Sequence, residues 1–535
     1  MEMNRRQFLA GAAVAGAAAL GTMAGCAPQD SAPKEGASDN AKTSQEPASQ
    51  PAAASWKDKP EPITDIVETV EADVVVVGAG IGGVCSALKA VQSGAKTICL
   101  QKGDIVLTHG GNFGAINSRF QKEAGNPEID MMDILAHHLK YNNYRPQYDY
   151  AKEIFNESAE TLEWIADSTG LTWNPSKPRT INTMDWDNTT FPTGHTSDAG
   201  KAIDIAQIIA DKAMELGAEF RFNTPGVQLV QDESGRVTGI IGESKDGYVQ
   251  FNAAKGVILA TGDYASDYDM CADLCPWVVG THNYYNPNYN TGDGHKMGVW
   301  VGAKMEPAPH TKMAHIHNCI DGTDLTDSPI KSDPFLWVNQ EGNRFANEHM
   351  EYAMVCNTVR EQPGDVFYLV IDSNYNEQRK SRLNPAASDV SEEAMEKAIE
   401  LGYTVKGDTL AECAKAFDIP AEALEATVAR YNELAAAGKD EDFGKPAQDL
   451  APIEAAPFFV IRTYTPMDVT MGGLMVNEKM QVLSEDDAVI EGLYAIGNTA
   501  GGFYGGIDYP LTVFGLSLGR CYTEGYVIGR MVAEK

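Results

Sequence analysis

Apolar residues in the region 71–267 occur alternately in short continuous runs and at helical spacing. The run Val74–Val77 predicts a buried parallel strand, and the run at 255–262 predicts a second strand that ends on a glycine turn. Apolar residues three and four positions apart predict helices over 149–168 and about 203–216. Strands that alternate with helices in this way predict an α/β domain with a parallel sheet.

The pattern changes in the region that follows. Asn, Tyr and Pro are frequent over 282–290, and short apolar runs around 335–339 and 366–372 predict short strands. The segment 392–440 is acidic and rich in alanine, which predicts a helical subdomain at the surface. We therefore predict a second domain, of the α+β type, inserted into the first.

These patterns predict the domain organisation and the fold class. The first domain is expected to be Rossmann-like and to comprise residues 69–267 and 456–535, closing with a long helix that begins around Leu516. The inserted domain, residues 268–455, is expected to cap the substrate site. The predicted fold class is α/β, with an α+β insertion.

The N-terminal region has the pattern of an export signal. The pair Arg5-Arg6 precedes a weakly apolar run that is too short to cross a bilayer, which takes about 20 residues. This arrangement predicts Tat export, with residues 1–26 as the signal. The run ends Met23-Ala24-Gly25-Cys26, which resembles a lipobox, so we expect a lipid on Cys26 to anchor the protein to the outer face of the cytoplasmic membrane. Residues 27–68 have almost no large apolar side chains and are expected to form a disordered linker.

The net charge restricts the kinds of partner. The formal charge is −33, and no basic cluster follows the signal. Because nucleic-acid binding depends on concentrated positive charge, this distribution argues against it. An acidic surface keeps the protein in solution, and it could also attract a basic electron donor.

The nine cysteines are scattered along the chain. Cys271 and Cys275 are four residues apart, which is one helical turn, but an iron–sulfur cluster would need further ligands. The only plausible additions are Cys319 and Cys356. We favour the interpretation that these residues are buried thiols, and we predict no metal site.

A glycine motif follows the first predicted strand. Gly78, Gly80 and Gly83 have the spacing of the dinucleotide fingerprint between a strand and a helix. The first glycine allows the tight turn, the second admits the pyrophosphate, and the third allows close packing of helix and strand. The strand predicted at Thr97-Ile98-Cys99-Leu100, the next after the fingerprint, ends on Gln101-Lys102, where an acid that binds the ribose is usual. Gln101 can still hydrogen-bond a diol, without charge.

Further motifs occur in order along the chain. They are Gly110-Gly111-Asn112, Ala260-Thr261-Gly262, Thr291-Gly292-Asp293-Gly294, the segment 342–348, Thr470-Met471-Gly472-Gly473 and the segment 492–499. Together they resemble the fumarate reductase/succinate dehydrogenase flavoprotein superfamily, which includes the 3-ketosteroid dehydrogenases. The resemblance covers nearly all of residues 71–535 and implies that the cofactor is FAD.

The resemblance also implies which residues contact FAD. Besides the fingerprint and Gln101-Lys102, they are Gly110, Gly111, Asn112, Val227, Ala260, Thr261, Gly262, Asn498, Ser517 and Leu518. Some members of the superfamily attach FAD to a histidine in the region of His109. The local spacing differs here, so we expect His109 to lie behind the cofactor contacts or at the surface.

The substrate positions depart from those of the fumarate reductases. Tyr352 stands where those enzymes carry the arginine that protonates the substrate. Their histidine before Thr-Met-Gly-Gly is replaced by the pair Asp468-Val469, and Asp508 lies near the place of their carboxylate-binding arginine. Since an aspartate repels a dicarboxylate, we expect fumarate to be a poor substrate.

The 3-ketosteroid dehydrogenases resemble this chain more closely at these points. Their acid/base tyrosine corresponds to Tyr352, and their Tyr-Pro pair corresponds to Tyr509-Pro510. In that family the second tyrosine and a glycine N–H hold the ketone oxygen, which implies a role for Tyr509 and Gly515. This chain has two more residues between Tyr-Pro and the glycine run.

The chemistry agrees with these assignments. Reduction of an activated alkene needs a hydride on the β-carbon, which flavin N5 would supply, and a proton on the α-carbon, for which Tyr352 is the candidate acid. Tyr509 and the Gly515 N–H would stabilise the developing enolate. The alternative is that both tyrosines only pack. Phe503 and Tyr504 are expected either to line the substrate pocket or to pack in the core.

The predicted function is therefore reduction of a carbon–carbon double bond conjugated to a carbonyl, in a steroid-like, lactone or phenolic enone. An alternative substrate is a small unsaturated carboxylate such as a urocanate- or cinnamate-like acid, held by a cation from Arg344 or Lys312. His315 and His317 lie near the place where the fumarate reductases carry a carboxylate-binding histidine, so the resemblance implies a substrate role for either of them. The reverse dehydrogenation, and an electron-carrying or substrate-binding lipoprotein without turnover, also remain open. We expect a membrane cytochrome or a quinol system to supply electrons, since the chain has no Cys-x-x-Cys-His haem motif.

Overall fold

The central element of the fold is a mainly parallel sheet, seen in a computed structural model of the chain. The model describes residues 55–176, 191–279, 281, 288–314, 318–319, 325–326, 330, 333–349, 357–383, 389–505, 509–510 and 512–535. The chain divides into two units, Met1–Asp58 and Lys59–Lys535. Everything below concerns the second unit.

The strands, in chain order, are β1 (Ile66–Val77), β2 (Thr97–Leu100), β3 (Phe113–Gly114), β4 (Trp173–Pro175), β5 (Gly194–Ser197), β6 (Glu219–Arg221), β7 (Gly226–Gln231), β8 (Val237–Ser244), β9 (Gly247–Leu259), β10 (Thr311–Ala314), β11 (Asn318–Cys319), β12 (Leu325–Thr326), β13 (Leu336–Val338), β14 (Val366–Ile371), β15 (Thr404–Gly407), β16 (Phe458–Tyr464), β17 (Met467–Met471), β18 (Gln481–Leu483) and β19 (Val489–Ala495).

The α-helices are α1 (Ile81–Gln92), α2 (Arg119–Glu123), α3 (Met131–Tyr141), α4 (Tyr148–Thr169), α5 (Ala202–Glu215), α6 (Tyr268–Leu274), α7 (Asp293–Trp300), α8 (Tyr375–Gln378), α9 (Glu392–Glu400), α10 (Leu410–Ala416), α11 (Ala421–Ala437) and α12 (Leu516–Glu534). Short 3₁₀ turns lie at Pro276–Val278, Pro363–Asp365, Ala447–Asp449 and Gly497–Thr499, and a π-helical turn lies at Arg379–Leu383.

The main sheet has the order β18-β19-β9-β1-β2-β6, with the hairpin β7–β8 joined to β9. Its middle strands are parallel, and Val74–Val77 pair with β2 on one side and β9 on the other. Because helices cover both faces of such a strand, the apolar run is continuous rather than alternating. The predicted α/β fold and the predicted helices at 149–168 and 203–216 are confirmed.

Helices α1 and α12 approach each other closely. An added Cβ at Gly525 of α12 would lie 2.4 Å from the carbonyl oxygen of Gly82 in α1. An added Cβ at Gly529 would lie 2.6 Å from the Ser86 carbonyl oxygen. Glycine at these positions therefore allows the C-terminal helix to pack directly on the helix that follows the dinucleotide motif.

The second region is built on an antiparallel sheet of order β13-β14-β16-β15. Trp337 and Phe367 pack in one core against this sheet, and their rings are 4.6 Å apart. Tyr368 belongs to a second core, with Leu424 and Val428 of α11. This arrangement is the expected α+β layer.

The structure differs from the predicted organisation at three places. β1 begins at Ile66, inside the expected linker, and the side chain of Gln228 bonds the backbone of Glu61 and Ile63. β15 interrupts the segment expected to be helical, because its residues complete the edge of the second sheet. β16 pairs with β14 and β15, so this sheet extends to Tyr464, beyond the boundary expected at 455.

None of the helices in the described residues is both long and apolar enough to cross a membrane.

Candidate active site

A cleft opens at the carboxyl ends of β1, β2 and β9, beside the first turn of α1. Ligands of open α/β sheets bind at this position, where the strand order reverses. Ten of the residues expected to contact FAD line it: Gly78, Gly80, Gln101, Lys102, Ala260, Thr261, Gly262, Asn498, Ser517 and Leu518.

The three fingerprint positions hold glycine for different structural reasons. Gly78 has φ +106°, and an added Cβ would lie 2.3 Å from the Ala260 carbonyl oxygen. An added Cβ at Gly83 would lie 1.9 Å from the Gly78 carbonyl oxygen. The fold itself therefore requires these two glycines, and Gly83 lies behind the cleft rather than in its wall.

Gly80 is different because the protein leaves room for a side chain there. Its backbone is extended, with φ −77° and ψ −178°, and an added Cβ would meet only the Leu107 carbonyl oxygen, at 3.5 Å. Within the described residues no side chain caps α1, and its first turn carries no acid. An open, uncapped helix N-terminus fits the pyrophosphate of a dinucleotide.

The opposite wall joins three of the sequence motifs. The Thr261 hydroxyl accepts from the Gly294 N–H at 3.2 Å and lies 3.2 Å from the Thr499 hydroxyl. Thr499 in turn donates to the Gly262 carbonyl oxygen at 2.9 Å. An added Cβ at Gly294 would lie 2.3 Å from the Thr261 hydroxyl oxygen. Motifs more than 200 residues apart thus form one rigid wall.

Four other expected cofactor contacts do not line the cleft: Gly110, Gly111, Asn112 and Val227. Gly110 lies behind Leu518, whose side chain would be 2.7 Å from an added Cβ. The wall before it is formed by Leu107, Thr108 and His109. In β7 the lining residue is Gly226, and Val227, the next residue along the strand, is not part of the wall.

The end of β2 is held by protein contacts. The Gln101 side chain accepts from the Ala79 N–H at 3.0 Å and donates to the Ile105 carbonyl oxygen at 2.8 Å. Lys102 donates to Thr291 at 2.7 Å and to Asp293 at 3.0 Å. Gln101 therefore orders the loop that forms the cleft, in addition to any contact with a ribose.

Several lining residues were missed by the sequence analysis: Gly82, Leu107, Thr108, Asp263, Tyr289, Asn290, Asp293, Ile496, Gly497 and Cys521. Asp263 follows the Ala-Thr-Gly motif directly, Asn290 precedes the Thr-Gly-Asp-Gly motif, and Asp293 belongs to it. Their adjacency to glycine motifs was the available signal.

Asp263 is a buried carboxylate in the cleft wall. It accepts from the Ala265 N–H at 2.7 Å and from the Asn290 amide at 2.8 Å, and the Thr470 hydroxyl is 3.3 Å away. Burial outweighs these hydrogen bonds and raises the pKa of Asp263 to about 7. Burial also lowers the pKa of His109 to about 4, so this cleft residue is neutral at pH 7.

Phe503 and Tyr504 lie in a buried aromatic cluster, not in a pocket wall. Phe503 is 0% exposed, and its ring centre is 4.9 Å from that of His138 and 4.9 Å from that of Tyr504. The guanidinium carbon of Arg520 lies 4.9 Å from the Phe503 ring centre. The packing interpretation is therefore favoured for both residues over the aromatic substrate wall.

Tyr509 and Gly515 lie at the approach to α12. Tyr509 is 6% exposed, and its ring centre is 6.5 Å from that of Tyr504. Gly515 precedes α12 with φ +71°, and its carbonyl oxygen accepts from the Gly114 N–H at 2.9 Å. The first turn of α12 carries Ser517 and Leu518, which line the cleft.

Other predicted site residues lie outside the described residues: Arg5, Arg6, Cys26, His315, His317, Tyr352, Cys356 and Asp508. Cys271 and Cys275 are buried thiols, and the Cys271 thiol lies 3.6 Å from the Tyr264 carbonyl oxygen. Among the described side chains, no group of three or more His, Cys, Asp or Glu is arranged to hold a metal.

The two candidate cations have very different surroundings. Arg344 donates twice to Glu348, both at 2.8 Å, and once to Asp440 at 2.8 Å. These contacts hold it within the second region. Lys312 is 2% exposed, and its ammonium donates to Asn357 at 3.0 Å.

A family model described as an FAD binding domain matches residues 73–509. The chain belongs to this family. A model of the TAT (twin-arginine translocation) pathway signal sequence matches residues 2–22, so the chain carries a Tat export signal. The predicted FAD cofactor and the superfamily resemblance are confirmed.

Three relatives of known activity match this chain over most of its length. A fumarate reductase (cytochrome) of Shewanella frigidimarina is 29% identical over 81% of this chain and 72% of its own. A urocanate reductase of Eggerthella lenta is 29% identical over 85% of this chain and 74% of its own. A vinyl phenol reductase of Lactiplantibacillus plantarum is 26% identical over 86% of this chain and 96% of its own.

Solved structures agree in fold. The open conformation of a flavocytochrome c3 fumarate reductase superposes with a TM-score of 0.70 at 24% identity, over 90% of this chain and 82% of that chain. A 3-ketosteroid delta1-dehydrogenase from Sterolibacterium denitrificans has a TM-score of 0.71 at 20% identity, over 87% of this chain and 99% of that chain. This chain is therefore an FAD-dependent oxidoreductase of the class that acts on CH–CH groups.

Proposed function

We propose that the protein reduces a carbon–carbon double bond conjugated to a carbonyl group. The observation that carries this proposal is the environment of Arg344. Its Nε and Nη2 donate to Glu348 and Asp440, and its Nη1 is buried, so Arg344 is not exposed to hold a dicarboxylate. The carboxylate-binding positions of a fumarate reductase are filled here by Val469, which is 1% exposed, and by Asp508.

In this proposal the chain's own residues position the alkene and supply its proton. FAD, held by the residues that line the cleft, would supply the hydride that the β-carbon needs. The Tyr352 hydroxyl gives a proton to the α-carbon. The Tyr509 hydroxyl and the Gly515 N–H donate to the carbonyl oxygen as negative charge develops on it. Gly515 directly precedes α12, whose first turn carries the cleft-lining Ser517 and Leu518, and this position supports the role.

A lipid anchor completes the proposal for the exported protein. We infer that Cys26 is lipidated after Tat export and holds the enzyme at the outer face of the cytoplasmic membrane. A membrane cytochrome or a quinol system there would supply the electrons. Cys26→Ser should release the protein from washed membranes into the soluble fraction, and wild-type protein that is equally soluble would contradict the anchor.

The experiment that tests the reaction uses the two tyrosines. Tyr352→Phe removes the proton donor and should slow alkene reduction roughly 10²–10⁴-fold with little change in substrate affinity. Tyr509→Phe removes one donor to the oxyanion and should cost about 2.7–4 kcal/mol of transition-state stabilisation. Transfer is followed at the flavin band of pre-reduced enzyme in a stopped-flow instrument.

Two results would defeat the proposal. Near-normal transfer in both variants would mean that the tyrosines only pack. Fumarate turnover equal to that of a panel of enones, with reduced viologen as the donor, would mean that the substrate class is wrong. Both variants should retain FAD and melt near the wild-type temperature, which is the control for an intact fold.

A further inference from the structure

A buried ion pair lies on α12, behind the wall of the cofactor cleft. Arg520 donates to the Glu524 carboxylate at 2.6 Å, and the two side chains are 2% and 0% exposed. The Tyr150 hydroxyl of α4 donates to the same carboxylate. Ser517 and Leu518 of α12 line the cleft, but Arg520 and Glu524 do not. The pair can therefore act on a bound cofactor only through the residues that it holds.

The pair holds the turn that follows β19. Arg520 donates from Nη2 to the carbonyl oxygens of Gly497 and Ala500, the second at 2.9 Å. Glu524 accepts from the Gly497 N–H. Backbone groups that are removed from water need such partners. Two side chains of α12 thus fix three backbone groups in the turn 497–500.

The contact with the Gly497 carbonyl sets the direction of the next N–H. In a trans peptide, which joins Gly497 to Asn498, the C=O of one residue and the N–H of the next point in opposite directions. The Gly497 carbonyl points to Arg520, behind the cleft wall. The Asn498 N–H therefore points away from Arg520, toward the cleft that Gly497 and Asn498 line. Among the described residues this N–H has no hydrogen-bond partner, so it is a donor that a cofactor can use.

The strand order indicates which half of FAD meets this N–H. Across the sheet the strands follow the order β19-β9-β1-β2. The position for the adenosine ribose follows β2, and the position for the pyrophosphate follows β1, at the first turn of α1. Gly497 follows β19, on the other side of β1 from β2. A dinucleotide that begins at β2 and crosses β1 therefore has its flavin half next to the turn 497–500.

We propose that Arg520 and Glu524 are positioning residues of the cofactor site, which direct the Asn498 N–H to an acceptor atom in the flavin half of FAD. A guanidinium is suited to this task, because its planar fork donates to the carboxylate and to both carbonyl oxygens at once. Lysine has the charge but not the fork. The inference concerns the cofactor and not the alkene, so it does not depend on the proposed function.

The variant that tests the positioning role is Arg520→Lys, which keeps the charge beside Glu524 and removes the fork. The Leu474 N–H still donates to the Thr499 carbonyl oxygen at 2.9 Å, so the turn should remain in place with its first peptide misdirected. FAD released from diluted holoenzyme is measured by its fluorescence, which gives the dissociation constant. We expect the variant to bind FAD about 5–100-fold more weakly than the wild type, which is the effect of losing one buried hydrogen-bond donor.

ADP-ribose separates positioning from a general loss of structure, because it lacks the flavin. Its displacement of FAD from the holoenzyme gives its own dissociation constant, which Arg520→Lys should change by less than about threefold. Arg344→Lys is the matched control, since Arg344 and Glu348 are also a buried pair four residues apart and neither lines the cleft. This control should lower the melting temperature and leave both dissociation constants within about threefold of the wild type.

Hydrogen exchange of the wild-type protein provides a measurement that needs no variant. FAD should slow exchange of the backbone amides in 497–500 more than saturating ADP-ribose does, as followed by mass spectrometry. Equal exchange in the two complexes overturns the inference even if Arg520→Lys does not fold. Equal weakening of FAD and ADP-ribose by Arg520→Lys, or an unchanged affinity for FAD, also overturns it. A selective loss of FAD affinity in Arg344→Lys would mean that any buried pair has this effect, and would overturn it as well.

Discussion

Replacement of Gly80 by valine should remove FAD binding without unfolding the protein. The backbone at Gly80 is extended, with φ −77° and ψ −178°, a conformation that β-branched residues adopt readily. The nearest atom to an added Cβ is the Leu107 carbonyl oxygen at 3.5 Å, which is ordinary contact. We therefore expect the unfolding free energy of the apoprotein to change by no more than about 1 kcal/mol.

FAD binding, in contrast to the fold, should not tolerate a valine at position 80. The two valine methyl groups would occupy the cleft beside the first turn of α1, where the N–H groups of the helix would bind the pyrophosphate. Hydrogen bonds to charged groups contribute about 1.5–3 kcal/mol each. Loss of two of them would weaken FAD binding by about 3–6 kcal/mol, which is roughly 10²–10⁴-fold.

Titration of the apoprotein with FAD, followed by flavin fluorescence, measures the affinity directly. Thermal unfolding provides a second readout, since FAD at 100 times its dissociation constant stabilises the wild type by about 2.7 kcal/mol and should not stabilise the variant. Gly83→Ala is the contrasting control, because its Cβ would lie 1.9 Å from the Gly78 carbonyl oxygen and should destabilise the fold itself. A Gly80→Val protein with wild-type FAD affinity would refute the reasoning.

Three further perturbations have defined outcomes. Replacing Arg5 and Arg6 by lysine should leave the protein in the cytoplasm, as measured by cell fractionation, and export of the double variant would contradict the role of the Tat signal. Asp263 has a folded-state pKa raised to about 7, so its ionisation should make the protein progressively less stable as pH rises from about 4 to 7, by at most about 4 kcal/mol. The unfolding free energy of Asp263→Asn minus that of the wild type should therefore be more favourable at pH 8 than at pH 5, as measured by urea unfolding at constant excess FAD. An equal difference at the two pH values would mean that burial does not raise the pKa of this carboxyl. Glu348→Gln leaves the buried Arg344 without its bidentate partner and should lower the unfolding free energy by about 3–5 kcal/mol, whereas a loss below about 1 kcal/mol would show that the pair is dispensable.

The sequence alone determined the framework and the cofactor. The glycines at 78 and 83 are required by backbone contacts of 2.3 Å and 1.9 Å that no other residue type permits, so their spacing already carries the strand–turn–helix geometry. The apolar run of β1 likewise reports a strand covered on both faces, because exposure on one face would have produced alternation. Such patterns can be recognised along the chain because neighbouring residues set the turn between β1 and α1 and the run of apolar residues in β1, although Gly78 is also confined by Ala260, which is distant in sequence.

The tertiary structure decided what surrounds each side chain. The same Phe503 could have lined a pocket or packed in the core, and only the positions of His138 and Arg520 make it a core residue. β15 forms in an acidic, alanine-rich segment because β16 offers it an edge.

The two candidate cations show the same limit most clearly. Arg344 and Lys312 are equal in sequence as carriers of positive charge. Distant residues decide that Asp440 helps to neutralise the first, while in the part of the chain that the structure describes the second has a neutral amide partner. Burial and pairing arise from contacts between segments far apart along the chain, so no local pattern contains them.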